Sequence, residues 1–259
     1  MRVAVVIPAF NEAATIADIV ARTLRYTKTV IVVDDGSRDG TVAALADLPV
    51  TLLENDANLG KAASMARGFA AAGERSMEAV ITLDADGQHP PEEIPRLMAA
   101  AAEHPGDIIV ATRLRGREQM PRTRRFGNWQ ADFWISWAAG YPIRDSQCGY
   151  RLYPMSLLEH LAVPDGPGNR FVFESEVLIE AARMGSYVRG ISIDTIYGRS
   201  PRGSHYRAAA DTFPIILMVA GKLIRRGLFP LGLLRSLEIL PHPGSGGGSG
   251  RAKSPDPLS

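Results

Sequence analysis

Two aspartates one residue apart, Asp84 and Asp86, follow the apolar run 81–83 and are themselves followed by Gly87 and Gln88. The run is typical of a buried strand and the glycine of a turn, so the acids are predicted to lie at a strand's carboxyl end. Ligands of open α/β sheets bind at that edge. Oxygen ligands held in a turn suit Mg²⁺ or Mn²⁺ together with substrate phosphates. A solvated acidic turn is the competing interpretation of these residues alone.

Two earlier loops also place acids beside tight turns. The segment 6–12 ends the first predicted strand, and 32–41 ends the second. Asp34 and Asp39 are most simply turn or capping residues, because aspartate is common in both positions. Asp35 is therefore the better ligand candidate.

A further loop, 58–61, opens a predicted helix at Lys61. The free amides of a helix N-terminus and a nearby lysine favour a phosphate. A solvated lysine is the alternative interpretation.

Apolar runs alternate with segments of helical period in the first half of the chain. The runs predict strands at 3–7, 30–33, 50–53, 79–83 and 107–111, and the other segments predict helices at 13–26, 41–47, 61–73 and 91–104. This alternation predicts an α/β fold with a doubly wound, mostly parallel sheet. Beyond residue 112 the pattern is less regular, with helices expected at 126–139, 173–184 and 211–226 and a strand at 188–193.

Composition sets broad limits on the class of protein. The chain has 259 residues, 46% of them hydrophobic, which is enough for a large α/β core. The formal net charge of +1 does not favour nucleic acid as a partner. Cys148 is the only cysteine, which excludes an intramolecular disulfide and favours a reducing, cytoplasmic location. Pro8 interrupts the first apolar run too early for a secretory signal.

Several segments together resemble family 2 glycosyltransferases of the type that includes dolichyl-phosphate mannose synthases and other polyprenyl-phosphate glycosyltransferases. The resemblance covers residues 3–207, and its segments are Val-Ile-Pro-Ala-Phe-Asn-Glu, Val-Val-Asp-Asp-Gly-Ser-Arg-Asp-Gly-Thr, Asn-Leu-Gly-Lys, Leu-Asp-Ala-Asp-Gly-Gln-His-Pro-Pro-Glu and Asp-Ser-Gln-Cys-Gly-Tyr-Arg. It implies a GT-A fold and the transfer of a sugar from a nucleotide donor with the help of a divalent metal.

The resemblance also implies roles for individual donor-side residues. Contacts with the nucleotide base and ribose are implied for Pro8, Ala9, Asn11, Glu12 and Asp35. Asp84 is expected beside the nucleotide and the metal, whereas Asp86 and Gln88 are expected as metal ligands beside the diphosphate.

On the acceptor side, the resemblance implies that Arg113 contacts a donor or acceptor phosphate. Asp145 is similar to the family's acid near the reacting centre, although it could merely orient the acceptor or Arg151, because a phosphate acceptor is already ionised. The catalytic residues that the resemblance implies are Asp86, Arg113, Asp145 and Arg151. Gln147 and Cys148 stand where many relatives have Ser or Thr. We expect Cys148 to be a small buried residue rather than a reactive thiol.

The last matching segments lie between residues 170 and 207. Glu176 is expected as the inward acid of a Phe-x-x-Glu region, a helix-start carboxylate being the alternative. Arg199 and Ser204 match a family phosphate-binding loop, in which His205 replaces a lysine, so that phosphate contact could fall to Arg202. This Gly- and Pro-rich loop is a candidate lid over the donor.

A basic and aromatic stretch suggests a membrane partner. Residues 113–144 hold seven arginines, two acids and all three tryptophans of the chain, which suits an anionic, apolar surface. A core-packing amphipathic helix is the alternative. The apolar run 213–221 is far shorter than the roughly twenty residues needed to span a bilayer. The region 222–234 is expected either to lie in the headgroup plane or to pack against the body.

These inferences combine into one functional hypothesis. Residues 1–207 are expected to form the catalytic domain, with a donor half at 1–112 and an acceptor half at 113–207, followed by a helical segment at 208–240 and a disordered tail at 241–259. The expected activity is metal-dependent, inverting transfer of a hexose from a GDP- or UDP-sugar to a polyprenyl phosphate on the cytoplasmic face of a membrane. A soluble small-molecule acceptor and a non-catalytic nucleotide-sugar binding module are the alternatives.

Overall fold

Seven strands form a single mixed sheet with the order β3-β2-β1-β4-β6-β5-β7 in a computed structural model that describes residues 1–112, 122–161, 172–193 and 208–242. The strands are β1 (Val3–Ala9), β2 (Thr29–Asp34), β3 (Thr51–Glu54), β4 (Ala79–Thr82), β5 (Ile108–Thr112), β6 (Arg151–Pro154) and β7 (Val188–Ser192). Only β6 runs antiparallel to its neighbours. The prediction of a mostly parallel α/β sheet is confirmed.

The centre of the sheet explains the continuous apolar runs in the sequence. In β1, residues 4–7 are completely buried, as expected for a parallel strand covered on both faces. β1 pairs with β2 on one side and with β4 on the other, and all three strands run in the same direction. The strand order therefore changes direction between β1 and β4, because β2 and β3 lie on one side of β1 and β4 lies on the other. The loops after β1, β2 and β4 share one edge of the sheet.

The helices follow the predicted sequence, with shifts at their ends. They are α1 (Ile16–Thr23), α2 (Lys61–Glu74), α3 (Ile94–Glu103), α4 (Arg122–Ala139), α5 (Met155–Leu158), α6 (Val172–Arg183), α7 (Ala208–Arg225) and α8 (Pro230–Ser236). The predicted helix at 41–47 is only a 3₁₀ turn, Ala43–Leu45. Within the described part of the chain, no helix is long and apolar enough to cross a membrane.

Close packing of α2 on the sheet depends on a glycine. A Cβ on Gly68 would lie 2.3 Å from Val6 Cγ1, so a side chain there would push the helix away from β1. Since α2 begins at Lys61, this contact also fixes where that lysine enters the edge of the sheet.

The sequence analysis missed β6 and the short helix α5, whereas α8 lies within the helical segment expected at 208–240. β6 consists of Arg151, Leu152, Tyr153 and Pro154, a mixture without the apolar run that identified the other strands. It nevertheless inserts between β4 and β5, where all four residues are buried. Helix α4 packs against α6, α7 and α8, and these helices form the second half of the molecule.

Candidate active site

The loops after β1 and β2 are joined by hydrogen bonds that backbone amides donate to side-chain oxygens. Asn11 N donates to Ser37 Oγ at 2.9 Å, and Arg38 N donates to Asn11 Oδ1 at 2.9 Å. Glu12 N donates to Thr41 Oγ1 at 2.8 Å. Asn11 has a φ of 57°, a left-handed conformation that asparagine tolerates better than most residues. The two loops thus form one rigid platform beside the ends of β1 and β2.

The turn roles predicted for Asp34 and Asp39 are confirmed, whereas the 3₁₀ turn Ala43–Leu45 has no side-chain cap. Asp34 Oδ2 accepts a hydrogen bond of 2.9 Å from Ser37 N within its own loop. Asp39 Oδ1 accepts one of 2.9 Å from Thr41 N, and Asp39 Oδ2 accepts one of 3.3 Å from Ala13 N. Both carboxylates stabilise the platform itself.

Asp35 connects this platform to the start of α2. Its side chain is buried; Oδ1 accepts hydrogen bonds of 2.9 Å from Asn55 Nδ2 and Leu59 N, and Oδ2 accepts one of 2.9 Å from Gly60 N. Gly36 allows the same loops to touch, because a Cβ there would lie 2.8 Å from the carbonyl carbon of Ala57. Asp35 therefore holds the loop that presents Lys61.

Lys61 lies between two carboxylates. Its Nζ is 2.6 Å from Asp84 Oδ1, just beyond the end of β4, and 3.0 Å from Glu174 Oε1 in the first turn of α6. Burial by itself lowers the pKa of Lys61, but the two carboxylates outweigh this effect and hold the pKa above its usual value. The ammonium predicted to attract a phosphate is thus ion-paired with protein carboxylates.

Gly149 makes room for this cluster. A Cβ at that position would lie 2.7 Å from Lys61 Nζ, 2.8 Å from Asp84 Oδ2 and 3.1 Å from Glu174 Oε1. The carbonyl of Gly149 accepts a hydrogen bond of 2.7 Å from Thr82 Oγ1, which ties the loop before β6 to the end of β4. The absence of a side chain is what lets the ammonium and the two carboxylates occupy this space.

The inward acid of the first turn of α6 is Glu174, and the expectation of Glu176 was wrong. Glu174 is buried beside Lys61, whereas Glu176 Oε1 lies 2.8 Å from Lys222 Nζ on α7. The Phe-x-x-Glu spacing fits Phe171 with Glu174 as well as Phe173 with Glu176. Sequence spacing alone therefore could not choose between the two acids.

Asp86 and Gln88 lie in the turn after Asp84. Gln88 N donates to Asp86 Oδ1 at 3.0 Å, and Gly87 has a φ of 75°, which closes the turn. Thr15 Oγ1 donates to the carbonyl of Ala85 at 2.6 Å, so the start of α1 also holds this segment. Asp84, Asp86 and Gln88 are all partly exposed.

The chemistry of this turn is compatible with a divalent cation. Asp84, Asp86 and Gln88 offer hard oxygen donors, which suit Mg²⁺ or Mn²⁺ when substrate phosphates complete the coordination. Among the residues that the structure describes, no group of three or more His, Cys, Asp or Glu side chains is arranged to hold a metal ion by itself. A cation here would therefore depend on oxygens from the substrate.

Asp145 is buried at the start of the loop that leads to β6, with a φ of 55°. Asp132 on α4 fixes this conformation: Oδ2 accepts from Asp145 N at 3.1 Å, and Oδ1 accepts from Ser146 N at 2.8 Å and from Ser146 Oγ at 2.7 Å. Burial raises the pKa of the Asp132 carboxyl. The loop 145–150 before β6, which the resemblance predicts on the acceptor side and which is called the acceptor-side loop below, is thus anchored to α4 through its backbone.

Arg151 is completely buried, and its hydrogen bonds go to the protein interior. Its Nε donates to Cys148 O at 2.6 Å, and its two terminal nitrogens donate to Ser146 O and Glu174 O, each at 2.7 Å. In this structure the guanidinium holds the acceptor-side loop against α6. The sequence analysis had placed Arg151 among the catalytic candidates, with direct acceptor contact left open.

Cys148 is buried, as expected for a small core residue. Its Sγ donates to the carbonyl of Ala111 at 2.9 Å and lies 4.0 Å from Nε2 of His89, which is also buried. These contacts join the loop before β6 to β5 and to the residue that follows the Asp84–Gln88 turn.

The aromatic residues of α4 are divided between two faces. Phe126 and Trp129 are 61% and 59% exposed, whereas Ile135 is buried. Trp129 stacks on Phe133, with ring centroids 6.3 Å apart. One side of α4 therefore contributes to the core, as the amphipathic interpretation expects, and another presents aromatic rings to solvent.

Five predicted site residues lie outside the described residues: Arg113, Arg199, Arg202, Ser204 and His205. The tail predicted at 241–259 is described only at 241 and 242. The predicted donor-side residues that the structure does describe converge on the edge formed by the ends of β1, β2 and β4. Glu174 and Gly149 join them there, although sequence reasoning did not select either as a site residue.

A family comparison agrees with this arrangement. The profile described as glycosyl transferase family 2 matches residues 4–161, which include the platform loops, Lys61, the Asp84–Asp86 turn and β6. The chain belongs to glycosyl transferase family 2 and is a glycosyltransferase.

Characterised relatives act on lipid phosphates. The chain is 27% identical over 243 residues to the UDP-N-acetylglucosamine–dolichyl-phosphate N-acetylglucosaminyltransferase of Methanococcus voltae, an alignment that covers 85% of this chain and 96% of that protein. It is 28% identical over 204 residues to the undecaprenyl-phosphate mannosyltransferase of Micrococcus luteus, covering 74% of this chain and 83% of that protein.

Solved structures share the fold. Glucosyl-3-phosphoglycerate synthase from Mycobacterium tuberculosis, in complex with Mn²⁺, UDP-glucose and phosphoglyceric acid, matches with a TM-score of 0.66 at 18% identity, covering 85% of this chain and 79% of that one. This likeness confirms the expected GT-A fold.

Proposed function

We propose that this protein is a metal-dependent, inverting glycosyltransferase that moves a hexose from a GDP- or UDP-sugar to a polyprenyl phosphate. The observation that carries the proposal is the turn with Asp84, Asp86 and Gln88, which lies at the same sheet edge as the platform loops and is backed by Lys61. The two lipid-phosphate transferases among its relatives support the choice of acceptor.

The donor is proposed to lie across the platform. Base and ribose contacts are assigned to Pro8, Ala9, Asn11 and Glu12, with Asp35 at the base end. The hydrogen bonds between the first two loops support this role, since a rigid platform is already organised before the donor arrives. Asp35 has a second task, because it fixes the loop that presents Lys61.

Asp86 and Gln88 are proposed to hold Mg²⁺ or Mn²⁺ against the diphosphate, with Asp84 between nucleotide and cation. The bound cation supplies Lewis-acid stabilisation of the leaving nucleoside diphosphate. Lys61, which also pairs with Glu174, holds the Asp84 carboxylate in place from behind. Solved relatives of the same fold contain Mn²⁺ or Mg²⁺, which supports a divalent cation.

The acceptor is proposed to approach the loop that contains Asp145. A phosphate acceptor is ionised at neutral pH, so its oxygen needs orientation rather than a general base. Asp145, held through its backbone by Asp132, supplies a fixed acid at this loop, and Arg151 keeps the loop in position from below. Contacts with donor or acceptor phosphates are also proposed for Arg113, Arg199, Arg202, Ser204 and His205.

The reaction is proposed to take place at the cytoplasmic face of a membrane, with the protein bound peripherally. A polyprenyl phosphate keeps its charged head at the bilayer surface, so an enzyme without spanning helices in its described part would meet the phosphate there. The exposed aromatic rings of α4 support such contact.

One partition experiment tests the proposal. The protein is incubated with radiolabelled GDP-mannose, UDP-glucose or UDP-N-acetylglucosamine, Mg²⁺ or Mn²⁺ and a polyprenyl phosphate, and the product is extracted into organic solvent. We expect organic-phase label with one donor, lost on addition of EDTA and in Asp86→Ala, but kept in Asp47→Ala, which alters an exposed acid elsewhere. Label that stays in water for every donor would overturn the lipid acceptor.

A further inference from the structure

The segment 228–240 presents a row of large apolar side chains to solvent. Leu231, Leu234, Leu237 and Ile239 are 43%, 38%, 49% and 64% exposed, and Leu228 and Leu240 are exposed as well. Most of the large apolar side chains exposed among the described residues lie in α4, α7 and this segment. Isolated exposed leucines need no explanation, but a continuous group of this kind marks an interaction surface.

The fold holds this segment firmly with its leucines outward. Leu228 and Phe229 have φ values of 62° and 42°, two successive left-handed residues without a glycine, each of which costs about 1 kcal/mol or more. Trp137 Nε1 donates to the carbonyl oxygens of both residues, at 3.0 and 3.2 Å. The Arg226 guanidinium lies 3.7 Å from the centroid of the Phe229 ring. These contacts therefore stabilise a strained turn at residues 228–229, and the turn leaves the apolar side chains of α8 exposed.

Basic residues flank this apolar segment in the sequence. Residues 222–242 contain Lys222, Arg225, Arg226 and Arg235 but only one acid, Glu238. Lys222 forms ion pairs with Glu176 and Glu180 of α6. The three arginines therefore make the local charge of this segment positive. Leucines flanked by arginines match the acyl boundary and the anionic headgroups of a bilayer, since each basic residue near such a surface contributes about 1 kcal/mol.

The same helix connects this surface to the acceptor-side loop. Asp132 of α4 binds the backbone of Asp145 and Ser146, and Trp137, five residues later in α4, binds the 228–229 turn. Five residues of α-helix span about 8 Å. A bilayer touching the 228–240 segment would therefore lie close enough for a lipid phosphate to reach the acceptor-side loop.

We propose that the 228–240 segment is a membrane-docking surface that inserts its leucines into the interface of an anionic bilayer. The inference rests on the proposed function for the purpose of the docking, which is to reach a lipid phosphate. Lipid binding itself requires neither donor nor metal. It deepens that function by naming the part of the chain that contacts the membrane.

Vesicle flotation of the full chain, without donor or metal, tests the inference. The probes are vesicles of phosphatidylcholine and phosphatidylglycerol in a 7:3 ratio (about 30% anionic lipid) and vesicles of phosphatidylcholine alone. We expect binding to the anionic vesicles that weakens as salt is raised, and a partition coefficient at least about tenfold lower for the double variant Leu231→Gln/Leu234→Gln. Met184→Gln, which alters a similarly exposed apolar side chain outside the 228–240 segment, should bind like the unmodified protein.

The outcomes separate docking from catalysis. Folding of each variant is checked by thermal unfolding, and transfer is measured with a short, water-soluble polyprenyl phosphate that needs no membrane. Lost vesicle binding with retained transfer in the double variant supports the inference. Vesicle binding equal in the double variant and the unmodified protein, or absent from both, overturns it. A dimer that the double variant dissociates would also overturn it, because a second copy would then be the occupant. If the unmodified protein binds the vesicles but transfers no sugar, the result counts against the proposed function alone.

Discussion

The ammonium of Lys61 lies 2.6 Å from Asp84 Oδ1, in the turn proposed to carry the cation, and its other carboxylate partner is Glu174 at 3.0 Å. The protein thus keeps a permanent positive charge against one of its own proposed metal-site acids. With two carboxylates and one ammonium, the cluster has a net charge of −1. Each of its three members therefore changes the local charge in a known direction when it is neutralised.

Removing the ammonium should destabilise the fold. In Lys61→Met, Asp84 and Glu174 face each other without a cation, and we expect the free energy of unfolding to fall by about 1–3 kcal/mol in denaturant titrations. The value lies below that of a fully buried pair because Lys61 and Asp84 retain some contact with water. Lys28→Met, at an exposed lysine, should change it by less than about 0.5 kcal/mol. Equal stability of the two variants would contradict a structural ion pair.

Two substitutions in the same cluster should shift the affinity for Mn²⁺ in opposite directions. Glu174→Gln removes a negative charge, so we expect a dissociation constant for Mn²⁺, measured with UDP present, about tenfold higher. Lys61→Met removes the competing ammonium and should lower the constant. Glu176→Gln is the matched control, because Glu176 pairs with Lys222 instead. Free Mn²⁺ can be counted by its electron paramagnetic resonance signal; shifts of the same sign in Glu174→Gln and Lys61→Met would refute the charge argument.

Gly149 should be intolerant of a methyl group. In Gly149→Ala the new Cβ meets Lys61 Nζ, Asp84 Oδ2 and Glu174 Oε1 within 3.1 Å, so the cluster must move apart. We expect at least a tenfold loss of transfer and a loss of about 1–3 kcal/mol in unfolding free energy. In α7, Gly221→Ala adds a Cβ with no atom within 4 Å and should stabilise the helix by up to about 1 kcal/mol. Normal transfer by Gly149→Ala would show that the cluster's spacing is unimportant.

The alanine variants of Asp84 and Asp86 should differ in whether they lose mainly stability or mainly transfer activity. Asp86→Ala loses a turn hydrogen bond of 3.0 Å and the proposed cation ligand, so we expect a folded protein with negligible transfer. Asp84→Ala also releases Lys61 from its shortest ion pair, and its melting temperature should fall further than that of Asp86→Ala. Calorimetry and the partition assay on both variants check this. Near-normal transfer by Asp86→Ala with metal present would remove the metal-site assignment.

Arg151 should be required for folding rather than for chemistry. Its three nitrogens bind three backbone carbonyls from a completely buried position, and the single ammonium of lysine cannot reproduce that geometry. We expect Arg151→Lys to lower the unfolding free energy by about 3 kcal/mol or more. An Arg151→Lys protein of unchanged stability with reduced transfer would instead place Arg151 at the acceptor.

Local sequence was sufficient to predict the donor side of the molecule. Each of β1, β2 and β4 contains a short run of Val, Ile or Ala, and a parallel strand buried on both faces requires such a run. Acids follow these runs within a few residues in the sequence, so their placement at one edge follows from the parallel order of the strands. Asp34 and Asp39 as turn residues, and Cys148 as a core residue, were likewise determined by local chemistry.

Only the tertiary structure decided which distant side chains meet. Glu174 rather than Glu176 turns towards Lys61 because α6 lies against α7, whose Lys222 takes Glu176. The burial of Arg151 follows from the insertion of β6 between β4 and β5, a long-range pairing that its four residues do not indicate. The leucines of α8 could have packed inward or faced out, and the turn held by Trp137 settled the choice. Local patterns determine which residues form a strand or a turn, whereas contacts between residues far apart in the sequence depend on how the elements pack.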